Sequence, residues 1–148
     1  MEPQGRTVSI NRPMRQIHVT IALCAALLLS ACSESGVSGV NTLLNARDAS
    51  INNRDITAYS ELIADDYQGR QLGKADIIKH MQQMFDQFTR IEMESFGRDI
   101  FIQDDTHARA AQSYRMKVLM DGSWREMLQR EELSLVRSES GWKISSGL

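Results

Sequence analysis

Cysteine is scarce in this chain of 148 residues: there are two, Cys24 and Cys32, and both lie near the N-terminus. Residues 33–148 therefore have no disulfide, no thiolate nucleophile and no cysteine-ligated zinc. Basic residues are not in excess either. The same residues contain 14 Lys and Arg against 18 Asp and Glu, a net charge of −4. A mildly acidic domain has no general attraction for phosphate, so we expect no nucleic-acid partner.

The chain also lacks an apolar run long enough to cross a bilayer. The run Val19–Leu29 has 11 residues, whereas a helix needs about 20 to span the ~30 Å hydrocarbon core. It fits the h-region of a signal peptide, with Arg15 and His18 before it as the n-region. We predict a signal peptide over residues 1–31. Either its true start is Met14, or its n-region is unusually long.

The end of this run resembles the lipobox of bacterial lipoproteins, which is a leucine, two small residues and a cysteine. The residues that carry the resemblance are Leu29, Ser30, Ala31 and Cys32. It implies that Cys32 is lipidated and that the bilayer is a partner, because a triacylated N-terminus exceeds the two chains needed for stable anchoring. Ser33 after the cysteine favours the periplasmic face of the outer membrane over the inner membrane. The alternative is a buried N-terminal helix that ends in a cysteine.

Three helices are predicted after a short tether. Residues 32–39 are the lipidated cysteine and a Ser/Gly-rich tether, and residues 40–148 form one domain. Apolar residues recur with a helical period over 40–51, with Ser38 as the N-cap. A second short helix follows Asp55 as its N-cap, and a third covers about residues 74–88.

After residue 88 the apolar period changes to two, which predicts strands. The four strands are 89–102, 107–120, 124–137 and 142–146, and residues 68–73 are a loop or a short strand. Gly97 indicates a bulge, and Asp121-Gly122 is a strong hairpin signal. Three helices followed by an antiparallel meander predict an α+β domain with helices on one face of a curved four-stranded sheet.

This order resembles the nuclear transport factor 2-like superfamily, whose α+β fold is a cystatin-like cone. The residues that carry the resemblance are Asn53-Arg54-Asp55, Leu62–Tyr67, Gly73–Ile77 and the closing Gly141–Ser145. The resemblance covers 40–148 and implies a sheet that curls around the helices and leaves a conical cavity. Members include scaffolds, ligand carriers, isomerases, dehydratases and cyclases, so the fold alone does not select a function.

The enzymes of this superfamily offer two templates. The isomerase type uses a carboxylate base, with a tyrosine and a protonated acid as an oxyanion hole. In this sequence the base, tyrosine and acid positions fall near Gln71, Arg47 and Glu131, so the base is missing. The cyclase and dehydratase branches use an inward His or Asp–His pair, whereas His80 and His107 are isolated here.

No cofactor or metal site is indicated by the sequence. Asp65-Asp66 and Asp104-Asp105 are adjacent carboxylates that point apart, so we interpret them as turn residues and not as a cation site. The chain has no phosphate-binding glycine loop, no nucleophile elbow and no metal-ligand spacing. We expect neither a cofactor nor a metal.

The strand 124–137 provides the candidate pocket, because Gln129 and Glu131 interrupt its otherwise apolar face. Burial on that face would raise the pKa of Glu131, as at functional sites. The alternative is that Glu131 pairs with an arginine such as Arg47 or Arg115, or lies at the cavity rim. The candidate pocket residues are Tyr59, Tyr67, Met84, Phe88, Tyr114, Met127, Gln129 and Glu131.

Three functions agree with the sequence. The first is a membrane-tethered periplasmic module that binds a small apolar ligand or a partner segment, and the absence of a matched acid/base set favours it. The second is an isomerase or lyase that uses Glu131. The third is a homodimeric scaffold of the cell envelope, because family members often dimerise through the open sheet face. Its polar interface would contain Arg115, Lys117, Arg130 and Glu132.

Overall fold

The computed structural model describes residues 36–148. The predicted signal peptide, the lipobox and Cys32 lie outside these residues. Helix α1 covers residues 36–52, α2 covers Ile56–Glu61 and α3 covers Lys74–Gln87. The strands are β1 Gln68–Gly69, β2 Leu72–Gly73, β3 Ile91–Ile102, β4 His107–Met120, β5 Ser123–Ser138 and β6 Gly141–Ser146.

Helix α1 begins earlier than predicted. Residues 36–39, expected in the tether, are already helical, and Ser38 lies inside the helix instead of capping it. Close packing explains the difference. A Cβ added to Gly39 would lie 2.8 Å from Cδ1 of Trp142, and the next residue, Val40, is fully buried. This tertiary contact outweighs the low helix propensity of glycine.

The second helix begins after its predicted cap, Asp55, and the third begins at Lys74, as predicted. The Asp55 carboxylate accepts a hydrogen bond from Ala58 N at 2.9 Å, and the Asp76 carboxylate accepts one from Gly73 N at 3.0 Å. Beyond α2 the chain runs beside β6. Ala64 N donates to Ile144 O at 2.9 Å, and Ile144 N donates to Leu62 O at 2.8 Å. The end of α2 is thus fixed to the last strand.

The four-stranded sheet has the order β3-β4-β5-β6, and every pairing is antiparallel. Its register shifts between Phe96 and Asp99, where Gly97 has φ +63°, so the predicted bulge is present. Asp121 and Gly122 have φ +51° and +76°, as a two-residue type I′ hairpin requires. The segment predicted as a loop or short strand forms the small β1–β2 hairpin.

One hydrophobic core joins the helices to the inner face of the sheet, and this confirms the predicted α+β fold. Leu44 and Ile51 of α1 pack with Tyr59 of α2, Phe85 of α3 and Leu133 of β5 in a single buried cluster. Within residues 36–148, no helix is both long and apolar enough to cross a membrane.

Candidate binding site

A cavity of about 880 Å³ lies between the helices, the β1–β2 hairpin and the inner face of β4 and β5. Ligand sites in proteins typically have volumes of ~300–1,000 Å³. Most of its wall is apolar, and methionine contributes soft side chains that adapt to an irregular ligand. The apolar wall residues are Ile51, Leu72, Ile77, Met81, Met84, Phe88, Met116, Val118 and Met127.

The cavity wall includes seven of the eight candidate pocket residues: Tyr59, Met84, Phe88, Tyr114, Met127, Gln129 and Glu131. Tyr67 is the exception, and its placement in the wall was wrong. It is only 2% exposed, and its hydroxyl accepts a hydrogen bond from Leu148 N at 2.9 Å and donates to Leu148 O at 3.0 Å. Tyr67 therefore holds the segment after β6, which itself lines the cavity.

An ion pair between Arg47 of α1 and Glu131 of β5 forms the polar end of the cavity. Both guanidinium terminal nitrogens donate to the carboxylate, and the Nη2–Oε2 distance is 3.1 Å. The two side chains are only 6% and 9% exposed. Gln112 Nε2 donates to the same carboxylate at 2.7 Å. Glu131 is thus not an isolated buried acid; it has the first of the two predicted arginine partners.

The second predicted partner lies elsewhere. Arg115 is on the outer face of the sheet, within 3.4 Å of a Glu94 carboxylate oxygen and 3.3 Å of a Glu126 one. Burial alone would lower the pKa of Arg47, but the charge and hydrogen bonds of Glu131 outweigh this effect and raise it. Arg47 therefore remains a cation. Its Nε has no hydrogen-bond partner among the described residues, and a buried unpaired donor costs about 1–3 kcal/mol.

A second polar layer holds this ion pair in place. Gln112 is fully buried, and its Oε1 accepts a hydrogen bond from Arg98 Nε at 2.9 Å. Arg98 follows the Gly97 bulge, and its Nη2 lies 3.5 Å from the Asp48 carboxylate of α1. The bulge therefore brings a cation to the back of the site, where it fixes the orientation of the Gln112 amide.

Two tyrosines add neutral hydroxyl groups to the cavity. Burial raises the pKa of Tyr59 to about 12, although the nearby Arg47 charge acts in the opposite direction. Burial also raises the pKa of Tyr114, whose hydroxyl donates to Gln129 Oε1 at 2.8 Å. Tyr59, Tyr114 and Gln129 are uncharged at neutral pH, so the polar end of the cavity offers hydrogen bonds with little net charge.

Some wall residues were not predicted. His80, interpreted from the sequence only as an isolated histidine, lines the cavity with Ile77 and Met84. Its spacing of three and four residues from them could have identified this position. The β1–β2 hairpin and residues 146–148 also line the cavity, and no local signal marks them.

The remaining candidates for chemistry lie apart from Glu131. His107 is the first residue of β4, with its Nδ1 3.1 Å from the Asp104 carboxylate. Gln71 is at the β1–β2 turn with φ +70° and does not line the cavity. In the part of the chain that the structure describes, no group of three or more His, Cys, Asp or Glu side chains could hold a metal.

The fold and cavity define a class of protein, the cone-shaped domains of the nuclear transport factor 2-like superfamily. A superfamily protein from Salmonella enterica is similar at 14% identity and TM-score 0.70, over 78% of this chain and 89% of that one. A Streptomyces avermitilis protein, proposed to be a dehydratase of this family, is similar at 13% identity and TM-score 0.69, over 77% and 94%.

A third similar structure is a Novosphingobium aromaticivorans protein proposed to be a scytalone dehydratase, at 9% identity and TM-score 0.70, over 80% of this chain and 85% of that one. At these identities the likeness shows the fold alone. Within the class, the chain belongs to the SnoaL-like domain family, whose model matches residues 40–147. No curated protein matches the sequence.

Proposed function

We propose that this protein is a binding module that holds a small, mainly apolar ligand in its cone. The observation that carries the proposal is the cavity itself, which has about 880 Å³ of space and a largely apolar wall. Cavities of this kind bury most of a ligand's surface and use a few polar groups to fix its orientation.

The polar end of the cavity supports binding more than catalysis. Both Glu131 oxygens accept hydrogen bonds from Arg47, and one of them also accepts from Gln112. These donors occupy both oxygens of the carboxylate, so a substrate would have to displace one of them to contact Glu131. The ion pair is better suited to receive one polar group of an otherwise apolar ligand.

Native mass spectrometry of the purified protein tests this proposal. We expect an extra mass that leaves on denaturation, and a fluorescence increase when Nile red, an apolar dye, is added to ligand-free protein. A Met84→Trp substitution fills the cavity and should weaken dye binding about tenfold or more, because a large side chain excludes the ligand. Gln83→Trp is the matched control, since residue 83 is exposed on the same helix.

Equal dye affinity of the Met84→Trp and Gln83→Trp variants would show that the dye binds outside the cavity. Together with a protein mass that carries no adduct, that result would contradict the proposal. Circular dichroism of both variants establishes that each is folded before affinities are compared.

The second part of the proposal is location. We infer that the domain is lipid-anchored through Cys32 on the periplasmic face of the outer membrane. The support is the sequence alone: an 11-residue apolar run that ends in Leu29-Ser30-Ala31-Cys32. A module held at a membrane surface would meet apolar molecules that partition there, which agrees with an apolar cavity.

A second candidate function is an isomerase or lyase reaction at Glu131. The observation that favours it is the position of this carboxylate in the cavity wall, in a fold shared with proteins proposed to be dehydratases. Glu131→Gln preserves the side-chain shape and removes the acid. If the ligand found by mass spectrometry is converted to a product, this variant should lose at least about a hundredfold in rate, as general acid–base catalysis predicts. Unchanged turnover would eliminate this candidate.

A further inference from the structure

Most of strand β5 has a hydrogen-bonded neighbour on one side only. It pairs with β4 along its length, but β6 covers only Ser134–Ser138. Among the described residues, no backbone group donates to or accepts from the other side of residues 123–131. Residues 123–130 are all exposed. An open strand edge presents unpaired N–H and C=O groups that can pair with another strand.

The side chains of this edge are complementary to themselves in one antiparallel register. If two copies meet about a two-fold axis at Leu128, Glu126 of each copy lies opposite Arg130 of the other. Leu128 then meets its own copy. The three side chains share the outer face of the sheet, because successive residues of a strand alternate between faces. Two symmetric ion pairs would flank an apolar contact.

Neighbouring registers lack this complementarity. With the axis at Met127, Glu126 would lie opposite Leu128, and with the axis at Gln129 it would lie opposite Glu132. In the register centred on Met127, the Glu126 carboxylate faces an apolar side chain and has no cation opposite it. In the register centred on Gln129, two carboxylates lie opposite each other, which destabilises a strand pair. The favoured register also uses exposed side chains, although Glu126 would share its carboxylate with Arg115 and Lys117 of its own chain, at 3.3 and 3.8 Å. Leu128 is 63% exposed, and Arg130 has no ion-pair partner in residues 36–148.

We propose that a second copy of this chain pairs with the open edge of β5, antiparallel and centred on Leu128. The two sheets then join through β5, with the order β3-β4-β5-β5-β4-β3 across the contact, and each β6 keeps its own part of the same edge. The contact uses main-chain hydrogen bonds for affinity and the Glu126–Arg130 pairs for register. The main-chain contact lies at the edge of the sheet, whereas a face-to-face dimer would cover the outer face, on which Arg115 and Lys117 lie opposite Leu128 and Glu126.

Sedimentation of the purified full chain tests the pairing. We expect a reversible dimer at protein concentrations of about 100 µM, which corresponds to a modest association energy. Leu128→Lys places two cations at the axis and should weaken self-association at least about tenfold. Residue 128 is mostly exposed, so the monomer should keep its circular dichroism spectrum and its midpoint of thermal unfolding.

A charge-swap experiment fixes the register. Arg130→Glu alone places Glu126 opposite a glutamate, and Glu126→Arg alone places Arg130 opposite an arginine, so each variant should be monomeric. An equimolar mixture restores both ion pairs in a heterodimer. Recovery of the dimer only in the mixture is the expected result, and a mixture that stays monomeric would contradict this register.

Phe101→Lys provides the control. Phe101 is 65% exposed on β3, on the outer face of the sheet and away from β5. The Phe101→Lys variant should remain dimeric. A parent chain that is monomeric at the same concentration would overturn the proposal. A dimer that withstands Leu128→Lys but dissociates with Phe101→Lys would also overturn it, because the interface would then be the sheet face.

Discussion

At the scale of single residues, the Arg47–Glu131 pair is the most consequential feature of the site. Each side chain is more than nine-tenths buried, so each charge has lost most of its contact with water. Burying a charge costs several kcal/mol unless its partner and hydrogen bonds compensate. The two residues are therefore interdependent: either charge alone would be far less stable in this position than the two together.

This interdependence gives a prediction about stability. Arg47→Met leaves the Glu131 carboxylate buried without its cation and should lower the free energy of unfolding by about 3–5 kcal/mol. Glu131→Met should have a comparable effect. The double variant should lose less than either single variant, because it removes both buried charges. Urea unfolding of the four proteins measures these differences, and additive losses would contradict a coupled pair.

The sequence could predict part of this site. Gln129 and Glu131 interrupt an apolar face of one strand, and this alternation is visible in the sequence. The sequence did not reveal whether Arg47 or Arg115 is the partner of Glu131. It depends on how α1 lies across the sheet, a contact between residues 84 positions apart. The hydrogen bond from Arg98 to Gln112 could not be predicted either, because a predicted bulge does not show which side chain turns towards the site.

At the scale of elements, helix α1 depends on a glycine that helix propensity disfavours. Gly39→Ala would favour an isolated helix by about 1 kcal/mol. In this fold its Cβ would lie 2.8 Å from the ring of Trp142, so we expect a net loss of stability of about 1–3 kcal/mol from overpacking. Thermal unfolding measures the effect.

Gly36→Ala is the control for this prediction. Its Cβ would meet only the flexible Ile102 side chain, at 3.3 Å, so its stability should change little or increase. A Gly39→Ala protein as stable as Gly36→Ala would show that α1 can move away from β6 without penalty.

The elements show which sequence signals are dependable. Strand β4 begins and ends at the predicted residues, because Asp104 and Asp121-Gly122 define the turns on either side. The start of α1 was missed because serine and glycine normally indicate flexible chain, and the close packing of Gly36 on Ile102 and of Gly39 on Trp142 has no local signal. The β1–β2 turn has positive φ at Arg70 and Gln71, residues that carry no turn signal.

At the scale of the whole molecule, the proposed lipid anchor can be tested by its chemistry. The mature protein should lack residues 1–31 and carry acyl chains on Cys32, and both appear in its intact mass. Cys32→Ala should abolish the cut and the acylation, because the thiol is the acceptor of the lipid. Cys24→Ala makes the same change inside the apolar run and should be processed normally.

An uncut parent chain without acyl groups would contradict the anchor. Normal processing of the Cys32→Ala variant would contradict the assignment of the lipid to this residue. Neither result would affect the cavity, since its wall lies within residues 47–148.

The contact between α2 and β6 has a consequence for the order of folding. Leu62 and Ala64 exchange backbone hydrogen bonds with Ile144, about eighty residues later. Closing so long a loop costs conformational entropy before any contact repays it. Residues 91–138 can therefore form the β3–β4–β5 meander through local contacts, whereas the end of α2 gains its strand partner only when β6 is in place. We expect the core to be completed only after β6 has left the ribosome, and such a delay would favour the proposed export of an unfolded chain.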